Sequence, residues 1–324
     1  MRKAILSRSR FWGPAFSFHL SIGVAAALLA GCGGSQLPTG VAGTTQQSPT
    51  IATHANRDGS WMLPGAKSGK LLYVSAPVDQ KVYVYSLPAG QLVGTLTGLV
   101  NPAGECSDKA GHVWIALNVG GLGPGTVVEY ARGGTKPIAK LDDSDPPQHC
   151  SVDPTTGNLA VAPAYGGHRG IAIYANARGL PKYHRAKNAD PWDCVYDNSG
   201  NLFVAAAIGP YASKLYWLRK GAATVTKYFL YPPEYADDGI GWDGQHLVIS
   251  PDGYDLYQYT QHNQVGETVL KGGGFDTTAS LWIQGSTLIA VNGYAVAFYA
   301  YPSGGYPFKV MNNAYSADGL TVSI

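Results

Sequence analysis

Gly104-Glu105-Cys106-Ser107-Asp108 followed by Gly111-His112-Val113-Trp114-Ile115 reads as a strand, a turn and a second strand. Asp is favoured in tight turns for backbone reasons, Gly takes positive φ at little steric cost, and Val-Trp-Ile suits a pleated, half-buried surface. The same phrase returns as Cys150-Ser151-Val152-Asp153 with Gly157-Asn158-Leu159-Ala160-Val161, and as Cys194-Val195-Tyr196-Asp197 with Gly200-Asn201-Leu202-Phe203-Val204. Fainter copies are Ile240-Gly241-Trp242-Asp243-Gly244 with His246-Leu247-Val248-Ile249, and Leu281-Trp282-Ile283-Gln284-Gly285 with Leu288-Ile289. With Leu72, Val113, Leu159, Leu202, Leu247 and Leu288 as register marks, the intervals are 41, 46, 43, 45 and 41 residues.

A third, aromatic-rich strand follows each mark, from Val82-Tyr83-Val84-Tyr85 to Val296-Ala297-Phe298-Tyr299, then a Gly turn and a fourth strand. Four strands per period of this length predict an all-β fold, a β-propeller whose small sheets pack face to face around an axis. The first mark lacks a preceding inner strand, and the chain ends in Asp318-Gly319-Leu320-Thr321-Val322-Ser323-Ile324, a copy of that strand with nothing after it. Six blades are therefore expected over residues 61–324, the last strand completing the first blade and sparing two bare edges. A seven-bladed ring and a two-sheet sandwich are the competing architectures. Trp61-Met62-Leu63-Pro64 is too short for a blade and is expected to plug or skirt the ring.

The composition agrees: 45% hydrophobic, 14% charged, 42 Gly, 21 Pro and 21 Tyr exclude a disordered chain, a coiled coil and a disulfide-rich miniprotein. Arg2, Lys3, Arg8 and Arg10 precede an apolar run, residues 16–30, that ends in Leu29-Ala30-Gly31-Cys32. That order predicts a lipoprotein signal peptide over 1–31, with Cys32 as the lipidated residue. Residues 32–60, rich in Gly, Ser, Thr, Gln and Pro, are then a flexible tether. The membrane is the first expected partner, through the lipid. Gly33 after the cysteine resembles lipoproteins sent to the outer membrane. Losing the four basic leader residues takes the formal charge from +2 to −2, so no electrostatic case remains for nucleic acid.

The unit Pro102-x-Gly104 to Asp108-x-x-Gly111-x-Val113-Trp114-Ile115, with its copies, resembles the NHL repeat. It is similar also to the propellers of the gluconolactonase/senescence-marker group and of virginiamycin B lyase. The resemblance covers residues 71–324 and implies the fold; its members include lactonases, lyases and pure binding modules. In the gluconolactonase-like members it implies a divalent metal held near the channel mouth by carboxylates and amides.

Two sets of connections share the rim at which ligands of such rings generally bind. Asp142, Asp143, Asp145, Asp190, Asp193, Glu234, Asp237, Asp238 and Asp276 fall there, most of them read as solvated turn residues. Counted from the inner-strand cysteines, Glu105, His149 and Asp193 occupy one position on three successive blades, where they could hold Ca²⁺, Mn²⁺ or Zn²⁺. The other equivalents, Gly239, Ser280 and Gly319, are not strong ligands. Tyr165, His168, Trp192 and Tyr211 are candidate rim contacts, whose aromatic character suits sugar or peptide. Cys106, Cys150 and Cys194, an odd number at equivalent inner-strand sites, are expected to be buried free thiols, because equivalent side chains on neighbouring blades lie too far apart or point in parallel. Gly120-Gly121-Leu122-Gly123-Pro124-Gly125 lacks dinucleotide-site spacing and reads as a rim loop. Serine-elbow, zincin, Cys-x-x-Cys and Walker motifs are not found.

Two functions compete. One is a lipid-anchored envelope propeller that binds an envelope protein or small molecule without catalysis. The other is a metal-dependent lactonase or lyase, with Glu105, His149 and Asp193 around the ion and Asp238 or His168 as base.

Overall fold

A computed structural model describes residues 59–119, 123–163, 170–209, 212–231, 239–272, 280–291, 295–312 and 316–324. They form six antiparallel sheets, the blades of a propeller. Blade two runs outward through Pro102–Ser107, Val113–Leu117, Gly125–Tyr130 and Pro137–Asp143. The corresponding inner strands are Pro147–Val152 in blade three, Asp190–Tyr196 in blade four, Gly239–Trp242 in blade five and Ser280–Gln284 in blade six. Blade one takes Lys70–Ala76, Lys81–Leu87 and Leu92–Thr97 from the start of the ring and its inner strand, Leu320–Ser323, from the end. Leu71 opposes Ser323 and Val74 opposes Leu320, which is the expected closure. Trp61–Met62 skirts the ring as a fifth strand on the outer edge of this blade, paired with Thr95 and Gly94.

The repeated turn has a repeated cause. The Asp108 carboxylate accepts the N–H groups of Ala110 and His112 at 2.9 and 2.8 Å, and Asp197 accepts those of Ser199 and Asn201, both at 2.8 Å. Asp153 and Asp243 do the same for Thr155 and for Gln245 and His246. Gly111 and Gly200, both at φ 84°, complete turns that an L-residue would strain. Each turn sets the register of the first two strands, and the register fixes which alternate side chains meet the next blade.

The core is correspondingly divided into six apolar clusters, one at each interface between blades. Leu71, Tyr73 and Ile115 lie between blades one and two, and Ala160, Cys194 and Val204 between three and four. Leu72, Ile289, Leu320 and Val322 join blade six to blade one, so the closing strand contributes to the core as well as to the sheet. Burial of each such leucine or valine contributes roughly 1.5–3 kcal/mol.

Candidate functional site

The six inner strands surround an axial cavity of about 210 Å³, whose wall includes Glu105, His149, Asp193, Ser280, Trp242 and Trp282. Three of these are the expected site residues, but their register differs from the expected ring. Cys150 and Cys194 stand three residues before their turn aspartates, whereas Cys106 stands two before Asp108. The residue in register with Cys150 and Cys194 is therefore Glu105. Strand pairing agrees: Glu105, Cys150 and Cys194 oppose Ile115, Val161 and Val204, each two residues beyond its mark. A bulge lies between Pro102 and Glu105, as one does between Pro147 and His149 and between Pro191 and Asp193, so it does not distinguish blade two.

Alternation along the strand then separates the three candidates. The position of Gly104, His149 and Asp193 faces the following blade. A Cβ on Gly104 would lie 2.9 Å from His149 Nδ1, His149 Nδ1 stands 3.8 Å from Asp193 Oδ1, and Asp193 Oδ2 accepts the Ile240 N–H at 3.0 Å. The position of Glu105, Cys150 and Cys194 faces the preceding blade: Cys150 Sγ contacts the Trp114 carbonyl and Cys194 Sγ that of Ala160. Glu105 accordingly turns toward blade one and Asp318. His149 and Asp193 share a layer; Glu105 does not.

The same offset corrects the cysteine expectation. Cys106 faces forward and Cys150 backward, so they meet across the interface of blades two and three and form a disulfide, with Cα atoms 5.6 Å apart. Among the described residues only Cys194 is a free thiol, buried, with its ionisation pushed well up by burial and by the Asp193 charge. Counting from the turn aspartates instead of from the cysteines was the signal in the sequence that identifies this pair.

Electrostatics follow from burial. Glu105 is 7% exposed, and neither carboxyl oxygen has a hydrogen-bond partner among the described residues. Burial, reinforced by the Asp318 charge, holds its carboxyl well above the usual carboxylate range. Burial also raises Asp193, against the opposing pull of His149 and of the Ile240 and Cys194 N–H groups. Trp192, expected on the rim, is buried between blades four and five with its ring edge-on to His149 at 6.3 Å. Asp143 accepts the Tyr183 hydroxyl at 2.8 Å and the Asp145 N–H at 3.0 Å, while Asp142 is exposed beside Lys140. Asp238, Tyr165, His168, Tyr211 and Cys32 lie outside the described residues, as do Gly120, Gly121 and Leu122. Trp242 and Trp282, which the sequence reading did not single out for a site, belong to the cavity wall; Trp282 stands in register with Cys106, Ser151, Val195, Gly241 and Thr321, and Trp242 with Ser107, Val152, Tyr196, Ile283 and Val322.

The divalent-metal reading does not fit this geometry. Among the described residues no group of three His, Cys, Asp or Glu side chains is placed to hold an ion. His149 and Asp193 could supply two ligands, and Glu105 faces away.

The sequence matches no protein-family model and no curated protein. Solved structures do match in shape. The β-propeller domain of Myceliophteria thermophila Cps50 (Swd1) gives a TM-score of 0.53 at 10% identity, covering 82% of this chain and 89% of that one. A protein of unknown function from Bacteroides caccae gives 0.56 at 13% identity over 79% and 99% of the two chains. Kuenenia stuttgartiensis hydrazine synthase gives 0.51 at 15% identity over 75% and 83%. Likeness at these identities defines the class, a β-propeller, and nothing narrower.

Proposed function

We propose that the protein is an envelope-anchored binding propeller that takes a ligand at the axial cavity without transforming it. One observation carries the reading: the wall brings together a facing His149–Asp193 pair and two indoles, Trp242 and Trp282. Polar groups that orient and aromatic faces that pack are what a binding pocket requires. Binding is favoured over catalysis because Asp193 is engaged by two backbone N–H groups and the third ionisable candidate, Glu105, faces blade one. The anchor at Cys32 and an envelope location, in the outer membrane, rest on the leader sequence. The Cys106–Cys150 disulfide supports them, since such bonds persist in oxidising compartments.

The test is thermal unfolding of the mature chain against separate panels of mono- and disaccharides, amino acids and short peptides. A compound that raises the midpoint of the native protein but not of His149→Ala or Asp193→Asn supports the proposal. Hydrolysis of a lactone, or a stoichiometric divalent ion lost in His149→Ala, overturns it in favour of the lactonase or lyase.

A further inference from the structure

Two carboxyl groups border the axial cavity from opposite sides of the ring. Asp193, on blade four, is held by the N–H groups of Cys194 and Ile240. Glu105, on blade two and turned toward blade one, is buried with neither oxygen hydrogen-bonded to a described residue. Buried polar groups in folded proteins are nearly always paired, so a carboxyl whose acceptor positions are all unused points to a partner from outside the chain. Asp318 adds a third acidic group near Glu105. It accepts the Gln148 Nε2–H of blade three at 3.2 Å, and its charge acts on the Glu105 carboxyl.

The rest of the wall selects the sign of that partner. Among the described residues that line the cavity there is no Lys or Arg, and His149 already faces Asp193 at 3.8 Å. An anion would find no positive charge of its own, whereas a cation finds a carboxyl on either side. The apolar part of the wall has a matching character. Trp282 is the one large side chain in its layer, where its counterparts are Cys106, Ser151, Val195, Gly241 and Thr321. An indole attracts a cation through the negative face of its π system, most strongly where water is excluded. At about 210 Å³ the cavity is smaller than the pockets that hold drug-sized ligands, so the occupant must be short.

We propose that the ligand of the axial cavity is a small primary amine in its ammonium form, whose N–H groups donate to Glu105 and whose carbon body packs against Trp282. The inference rests on the cavity reading of the proposed function and is independent of the anchor. A charge-assisted hydrogen bond in a dry site is stronger than the same bond in water, which gives the buried carboxyl a use that offsets its cost to the fold. Burial also lets the free protein keep the Glu105 proton to higher pH than a solvated carboxyl would. An arriving ammonium displaces that proton to solvent, so cation uptake and proton release are coupled.

Isothermal titration of the mature chain at neutral pH tests this, with ethylamine, propylamine and butylamine each set beside the alcohol of equal length. At least one amine should bind about tenfold or more tightly than its alcohol. Its binding heat should differ between phosphate and Tris buffers, which reports the released proton. Glu105→Gln should weaken the amine by a similar factor and remove the buffer dependence, while Trp282→Leu weakens it and keeps that dependence. A thermal midpoint of Glu105→Gln no lower than the native one shows that lost binding is not lost structure. If that midpoint falls, the native chain's preference for amine over alcohol and its proton release decide alone. The proposal is overturned if no amine binds, if the alcohols bind equally well, or if a folded Glu105→Gln binds amine unchanged. A sugar or peptide that raises the midpoint through His149 and Asp193 when no amine binds overturns this inference and leaves the proposed function standing; no binding by any compound overturns both.

Discussion

Glu105 occupies a position whose counterparts in the other blades are Cys150, Cys194, Ile240, Leu281 and Leu320, a disulfide sulfur, a thiol and three aliphatic side chains. A carboxyl sealed in that layer without a hydrogen-bond partner costs stability, because desolvation is uncompensated even when the group is neutral. Glu105→Leu should therefore raise the unfolding free energy by about 1–3 kcal/mol, read from the urea midpoint. Its pH dependence has a definite sign. Burial holds the folded-state carboxyl well above the ordinary value of 4.5, so the unfolded chain ionises first. Stability from this group is complete below pH 4.5 and declines as pH rises through the folded value. Urea midpoints of the native protein should thus fall between acid and neutral pH more steeply than those of Glu105→Gln. Parallel curves would show that the carboxyl is solvated or partnered in solution.

The inner strand of blade two shows what was and was not legible in the sequence. Strand and turn order could be read because Asp108, Asp153 and Asp197 act locally, each fixing its own turn through bonds within four residues. The pairing of Cys106 with Cys150 depends on Cys106 standing one residue nearer its turn aspartate than Cys150 does, which points the two side chains in opposite directions along otherwise equivalent strands. Composition carries no trace of that reversal; only the distance to the turn aspartate does. The candidate site inherited the same error, since Glu105 was grouped with His149 and Asp193 on the strength of the cysteines. The Trp282 side chain is a different case, because its place in the cavity wall depends on packing around the axis and not on local pattern. Two outcomes follow for this strand. Cys106→Ser should lose roughly 2–4 kcal/mol of stability, and reductant should cost the native chain a similar amount. The folded, lipid-modified protein should show no reactive thiol, and its denatured form one, from Cys194.

Closure joins the two ends of the ring, because Leu320–Ser323 completes blade one in the sheet while Leu320 and Val322 fill the interface with blade six. Ser75 strengthens the seam: its hydroxyl accepts the Gly319 N–H at 2.8 Å and donates to the Ala103 carbonyl of blade two. Ser107 adds a bond to the Val322 carbonyl at 2.9 Å. The closing strand therefore touches three blades, and opening the ring requires these contacts to break together. Leu320→Ala should cost about 2–5 kcal/mol, since it leaves a cavity at the seam as well as removing buried area. A circular permutant tests the latch itself. Starting the chain with residues 319–324 directly before residue 70 makes blade one contiguous and leaves blades six and one joined only by side-chain packing and by the Lys309 and Ser280 hydrogen bonds. The four-stranded pairing of all six blades is retained and only the short Trp61–Met62 pair is given up, so equilibrium circular dichroism should be nearly unchanged. The unfolding rate in denaturant should increase, because the first step no longer has to strip a strand from its sheet. An unchanged rate would mean that the ring opens at another interface, with the disulfide-free junctions between blades three and six the next to examine.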